Sequence, residues 1–166
     1  MTSELWHVAQ VNIAVLKAPL DSPQLAGFVR MLEPVNALAD EAPASVWRLQ
    51  TEGGDATAIR AFDDRIIVNL SVWESVGALA DYVFASRHSE VLRRRREWFE
   101  KMETAHLALW WIRAGTIPSV GDAERPLGLL RERGPSPEAF TMREPFPAPG
   151  VERARPIAGP LVLPTR

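Results

Sequence analysis

Polar side chains able to hold a small molecule recur at alternate positions on two segments of this chain. Gln10 and Asn12 alternate within residues 5–16, and Asn69, Ser71 and Trp73 alternate within residues 65–73. Side chains of a strand point to opposite faces in turn, so each set lies on one side of its strand. Carboxamides both donate and accept hydrogen bonds, hydroxyls do the same, and an indole N–H only donates. Such groups suit the orientation of a carbonyl, a hydroxyl or bound oxygen. Asn12 either serves such a ligand or bonds a backbone group, since a buried amide needs partners in both cases. Trp73 is either a pocket wall or a core aromatic with its N–H paired.

His88 follows the second of these segments. A neutral imidazole there would be a base or a metal ligand, because it titrates near neutrality. The run Ser86-Arg87-His88 also reads as a helix start with His88 at the surface. His7 and His106 fall on strands and are weaker candidates. Arg48 alternates with the apolar Trp47 and Leu49, which makes it a candidate pocket residue. Arg93 to Arg96 are four consecutive helical residues pointing in four directions, so one or two at most face any site. They are either solvated or hold an anion. Glu97, Glu100 and Glu103 read as their ion-pair partners. Gly53-Gly54 is no phosphate loop, since no Lys-Ser/Thr follows.

The elements that must position these residues follow from hydrophobic periodicity. Residues 5–16, 44–51, 65–73 and 106–113 read as strands. In the third, Ile66, Val68, Leu70 and Val72 form a uniformly apolar face expected to pack on helices, opposite Ile67, Asn69, Ser71 and Trp73. Asp21-Ser22-Pro23 opens a helix with an apolar stripe at Leu25, Phe28, Val29, Leu32, Val35 and Ala39, with a kink or break expected near Glu33 because of Pro34. Ser75 is a possible cap for a helix over 75–84. A second helical stretch covers 87–100, with Val91, Leu92, Trp98 and Phe99 inward. Residues 122–133 form a further helix in spite of Pro126 and Gly128. From Gly134 the composition changes, eight of the 14 prolines lying between Pro135 and Pro164. The chain thus divides into residues 1–133 and an extended Pro-rich tail, 134–166, draped over the body or a partner, or loose.

Composition narrows the function classes. Of 166 residues 46 % are hydrophobic and 24 % charged, a globular mix. The net charge of −2 gives no case for nucleic acid or an anionic membrane as partner. There is no cysteine, which excludes disulfides, thiol catalysis and cysteine-ligated metals. No leader-like N-terminus and no spanning apolar run are present, so the expectation is a cytoplasmic protein.

The order strand, helix, strand, strand, helices, strand is that of an α+β ferredoxin-like βαββαβ domain with an antiparallel four-stranded sheet, extended here by a C-terminal helix and tail. One sheet face is expected under helices. The other, carrying Trp6, Val8, Ile67, Trp73 and Trp110, is expected to be helix-free and closed by a second copy of the chain, enclosing a partly polar cavity.

The segments WRLQTEGGDATAIRAFDD, VNLSVWESV, RHSEVLRRRREWFEKM and HLALWWI resemble the bacterial family Domain of Unknown Function 3291, over roughly residues 5 to 147. The resemblance implies the dimeric α/β barrel clan, which includes cofactor-independent antibiotic-biosynthesis monooxygenases, heme-degrading monooxygenases and non-enzymatic modules. The heme-degrading branch has an Asn on the first strand, a Trp ending the third and a His on the next helix. Asn12, Trp73 and His88 stand in those places, although the Trp-to-His interval is longer here. The implied function is a small homodimeric monooxygenase-like enzyme acting on an aromatic, polyketide-like or heme substrate, either without cofactor or with heme on His88. Asn12, Trp73 and His88 would be catalytic, and Gln10, Arg48, Asn69, Ser71 and Trp110 would line the pocket. The alternatives are a non-catalytic ligand-binding or interaction module and a non-oxidative cyclase or isomerase in the same barrel.

Overall fold

In the computed structural model, which describes residues 4–50, 65–84 and 86–151 (backbone alone for 86–89), eight regular elements follow one another. They are β1 Trp6–Val15, α1 Ala26–Glu41, β2 Ser45–Arg48, β3 Ile66–Trp73, α2 Val76–Phe84, α3 Ser86–Trp98, β4 Leu107–Arg113 and α4 Val120–Arg133. Gly53-Gly54, the last residue of the second expected strand and the end of the tail lie outside the described residues. The strands form one sheet in the order β2-β3-β1-β4, each neighbouring pair antiparallel. This is the ferredoxin-like α+β arrangement. Each of its two βαβ units straddles a strand of the other, and right-handed crossovers set α1 and the α2–α3 pair on the same side of the sheet.

Local chemistry explains where the helices begin and end. Pro23 opens a single 3-10 turn, Pro23–Leu25, that runs into α1. Ser22 does not cap it; its hydroxyl donates to the Pro19 carbonyl at 2.5 Å. The break expected near Glu33 does not occur, for α1 continues through Pro34. The carbonyl deprived of its helical donor is that of Arg30, an exposed residue. Phe28 and Ala39, both buried, hold the helix on either side of the proline. Ser75 caps α2, its Oγ accepting from the Ala78 N–H at 3.1 Å. α4 starts at a capping box: the Asp122 N–H donates to Ser119 Oγ at 3.2 Å, and the Ser119 N–H donates to Asp122 Oδ2 at 2.7 Å. It stops at Gly134, whose φ of 73° suits glycine.

The two sheet faces are packed differently. Val11, Ile13, Val68, Leu70 and Ala108 form one continuous apolar cluster with Ala123, Leu127 and Leu130 of α4. The apolar face of β3 therefore meets a helix as expected, but that helix is α4. The opposite face lies under α1, α2 and α3, where apolar packing splits in two. At one end Leu16 and Ile67 meet Leu25, Phe28 and Trp98. At the other Val8, Trp73 and Leu109 meet Leu79, Val83 and Phe140.

This corrects the expectation of a helix-free face awaiting a twin subunit. The face that carries Gln10, Asn12, Asn69, Ser71 and Trp73 is covered by helices of the same chain, and the other face is covered by α4. The physical reason is that one pleated strand can serve two dry layers unequally. The three helices α1–α3 are anchored at the two ends of their face, so the middle need not be apolar.

Beyond α4 the chain returns along β4. The Leu109 N–H donates to the Phe140 carbonyl at 2.8 Å and the Phe140 N–H to the Leu109 carbonyl at 2.9 Å. Phe140 is fully buried, and the Trp111 indole donates to the Phe146 carbonyl at 2.9 Å. The segment thus lies against its own body and closes one side of the layer under the helices.

Candidate functional site

The hollow lies between the two apolar clusters of the helix-covered face. Register aligns its residues: Gln10 is opposite Ser71, Asn12 opposite Asn69 and Val8 opposite Trp73. Arg48 of β2 is opposite Ser71 on the other side. Along β3 the inward positions read Ile67, Asn69, Ser71, Trp73, apolar only at the two ends. Asn36 and Ala39 of α1, Leu79, Tyr82 and Val83 of α2, Leu92 of α3, and Met142 complete the lining. Asn69 is exposed and Asn12 half-buried, whereas Gln10 and Ser71 are each only 7 % exposed. The mouth is therefore at Asn69 and the floor at Gln10.

A directed relay of hydrogen bonds fixes the floor. The Trp73 indole N–H donates to Ser71 Oγ at 2.9 Å, and Ser71 Oγ–H donates to Gln10 Oε1 at 2.9 Å. An indole can only donate, so Ser71 must accept there and passes its own proton on to the Gln10 carbonyl. The Gln10 Nε2 group is then turned away from Ser71, and it has no hydrogen bond among the described residues. The side-chain amides of Asn12, Asn36 and Asn69 likewise have none among them. These amides line the hollow with polar groups, the Gln10 nitrogen among them, that no protein group engages among the described residues.

Charge in the hollow is balanced. Arg48 Nε and a terminal nitrogen donate to Asp40 Oδ1 and Oδ2 at 2.7 and 3.0 Å. The hydrogen bond from Arg48 holds the Asp40 carboxyl below its ordinary range. Tyr82 stacks on Trp73 with ring centroids 5.0 Å apart and donates to the Val35 carbonyl at 3.2 Å. Burial pushes the Tyr82 phenol up to about 12, so it stays protonated at ordinary pH. No Asp, Glu, Lys or His side chain lines the hollow among the described residues.

The structure brings Gln10, Asn12, Arg48, Asn69, Ser71 and Trp73 around one hollow. It does not bring Trp110 to them. Trp110 is opposite Ala9, on the α4 face, and packs in the cluster under that helix. The pocket tryptophan expected there is a misassigned face: Leu107, Leu109 and Trp111 are the β4 residues that share the side of Gln10. His88 lies on α3, and its imidazole is outside the described residues. His7 is on the α4 side, where its buried Nδ1 has no partner among the described residues. His106 is outside β4, its Nδ1 3.4 Å from the Thr104 carbonyl. Arg94 lies over the Trp98 ring at 4.8 Å and pairs with Glu97 on the outside of the helical layer. Gly27 leaves the room for it, since a Cβ there would come within 3.2 Å of the guanidinium.

Asn36, Tyr82 and Met142 line the hollow without a sequence expectation for them, and Asp40 stands outside it as the partner of Arg48. Asn36 and Asp40 follow Leu32 at helical spacing, on the face of the apolar stripe, and two polar residues on that face are a readable signal. Tyr82, the chain's one tyrosine, stands beside Leu79 and Val83 in the same way. Met142 carries no local signal, since it arrives through the return of the chain along β4.

The hollow itself measures about 60 Å³. That is less than half of the ~150 Å³ cavity that takes a benzene ring, and far below the ~300–1,000 Å³ typical of larger ligands. A porphyrin does not fit it as it stands. Among the described residues no group of three or more His, Asp or Glu could hold a metal ion, and no helix is long and apolar enough to cross a membrane.

The family model described as a domain of unknown function, DUF3291, matches residues 7–156, and the chain belongs to that family. No curated protein matches it. Among solved structures, a protein of unknown function from Nitrosomonas europaea is similar at 8 % identity, over 70 % of this chain and 99 % of its own, with a TM-score of 0.46. One from Bacteroides thetaiotaomicron, described as a "Possible Oxidoreductase", is 8 % identical over 67 % of this chain and 99 % of its own, with a TM-score of 0.41. A dabb family protein with a ferredoxin-like fold from Mesorhizobium loti is 13 % identical over 68 % of this chain and 99 % of its own, with a TM-score of 0.40.

Proposed function

We propose that the hollow between the sheet and α1–α3 is a binding site for a small, uncharged, hydrogen-bonding molecule. The observation that carries this reading is the amide of the buried residue Gln10: oriented by the Trp73–Ser71 relay, its nitrogen has no protein partner among the described residues. A folded chain that needed only a core would place an apolar residue there. The dimensions of the hollow weigh against heme as resident or substrate.

A second reading, a cofactor-independent monooxygenase, is favoured by amide donors collected beside the Trp73 and Tyr82 rings. They would stabilise negative charge developing on a substrate acidic enough to ionise unaided, with the cavity holding it near O₂. Such a substrate would have to protrude from the mouth at Asn69.

A fragment library of neutral, cationic and anionic members, followed by backbone and indole N–H chemical shifts, tests the site. Neutral fragments should move the Trp73 indole and Gln10 amide resonances. Shifts that avoid both residues for every fragment would defeat the proposal. Oxygen consumption with a panel of quinols and anthrones decides the second reading: uptake lost in Asn12→Ala supports it, and none at all removes it. Added hemin should keep the Soret band of free hemin.

A further inference from the structure

We infer that the molecule bound in the hollow is a carboxamide or urea, or the primary-amide end of a larger compound, whose oxygen accepts from the Gln10 side-chain nitrogen. This rests on the hollow being a binding site and names the chemistry it selects. Because the relay commits Gln10 Oε1 to Ser71, only the Nε2 hydrogens are left to face the cavity. Gln10 is only 7 % exposed, so these donors open on the hollow, and the complement of a donor is an acceptor oxygen.

Charge decides which oxygen. Arg48, the cation among the described lining residues, is already held by both oxygens of Asp40. A carboxylate brought to Gln10 would lose its hydration with no counter-charge of its own, whereas a neutral carbonyl loses far less. The neighbouring rung decides between an amide and a plain ketone. Asn12 and Asn69 are paired across β1 and β3, two residues along from Gln10 and Ser71, or roughly 7 Å at strand rise. Their carboxamides offer acceptors as well as donors. A ligand with N–H groups beside its carbonyl uses both rungs; a ketone leaves the Asn acceptors without hydrogen. Volume fixes the scale: about 60 Å³ holds a few heavy atoms. Anything larger extends past Asn69 into solvent.

Acetamide, acetate and acetone are near-isosteric probes that separate these alternatives. Titration of the full-length protein, read by ligand-observed NMR, should show saturable acetamide binding in roughly the millimolar range expected for four heavy atoms. Acetate at neutral pH and acetone should bind at least tenfold more weakly. Gln10→Leu should weaken acetamide at least tenfold. Gln10→Glu, which keeps the size but replaces the donor by an acceptor, should lose acetamide and gain acetamidinium. Acetate equal to acetamide overturns neutrality, acetone equal to it overturns the amide class, and insensitivity to both Gln10 variants overturns the donor. In each of these cases the hollow remains a binding site of another selectivity. If no probe binds while library fragments still shift Trp73, the class alone is wrong; if nothing shifts Trp73, the site is wrong as well.

Discussion

On the α4 side of this sheet the apolar layer is continuous, with the His7 ring as its polar exception; on the α1–α3 side two apolar clusters stand apart with amides and a hydroxyl between them. The same strands make both. On β3, Val68, Leu70 and Val72 alternate with Asn69, Ser71 and Trp73, so a single eight-residue strand builds a dry interface and the floor of a cavity. The lesson is that stability and recognition have been separated by the pleat. α4 anchors the fold on one side, which leaves the other free to carry groups that a core would reject.

If that division is right, the largest loss of stability comes from the dry side. Leu127 is 2 % exposed in the α4 cluster, and Leu127→Ala should cost about 2–5 kcal/mol in urea unfolding. A cost near zero would mean that α4 is not the anchor. The next effect belongs to the other side. Tyr82 keeps its proton up to about 12 in the folded state, against about 10 when unfolded. Its contribution is full below the unfolded value and is lost as pH rises from about 10 towards about 12, on the order of 2–3 kcal/mol. Tyrosinate absorbance reports this single group, and Tyr82→Phe should remove that part of the alkaline decline. The smallest effect has the opposite sign. Asn12→Val places a strand-favouring apolar residue where an amide has no partner among the described residues, and should raise stability by about 0.5–2 kcal/mol while abolishing fragment binding. A destabilised Asn12→Val would put Asn12 among the structural amides.

Much of this was legible in the residues. Alternation on β1 and β3 gave the faces, and the order of strands and helices gave the ferredoxin-like topology. Gln10, Asn12, Asn69, Ser71 and Trp73 stood out because polar groups alternated with Val, Leu and Ile. Which layer covers which face was not legible. A uniformly apolar face invites a helix, and the sequence does not say whether α4 or the α1–α3 layer supplies it. Trp110 was misplaced for a related reason: adjacent Trp110 and Trp111 point to opposite sides, and only the pairing of Ala9 with Trp110 decides between them. Met142 reaches the hollow through a tertiary contact that no local pattern encodes.

The return of the chain along β4 has one more effect. An outermost strand with free amides and carbonyls is a template on which a stranger's extended segment can add. Here Leu109 exchanges both of its backbone hydrogen bonds with Phe140, and β2, at the opposite margin, is only four residues long, with a register irregularity between Ser45 and Trp47. The domain therefore guards its own border against ribbon-wise growth into aggregates, and trimming the polypeptide ahead of Phe140 would strip that guard from β4.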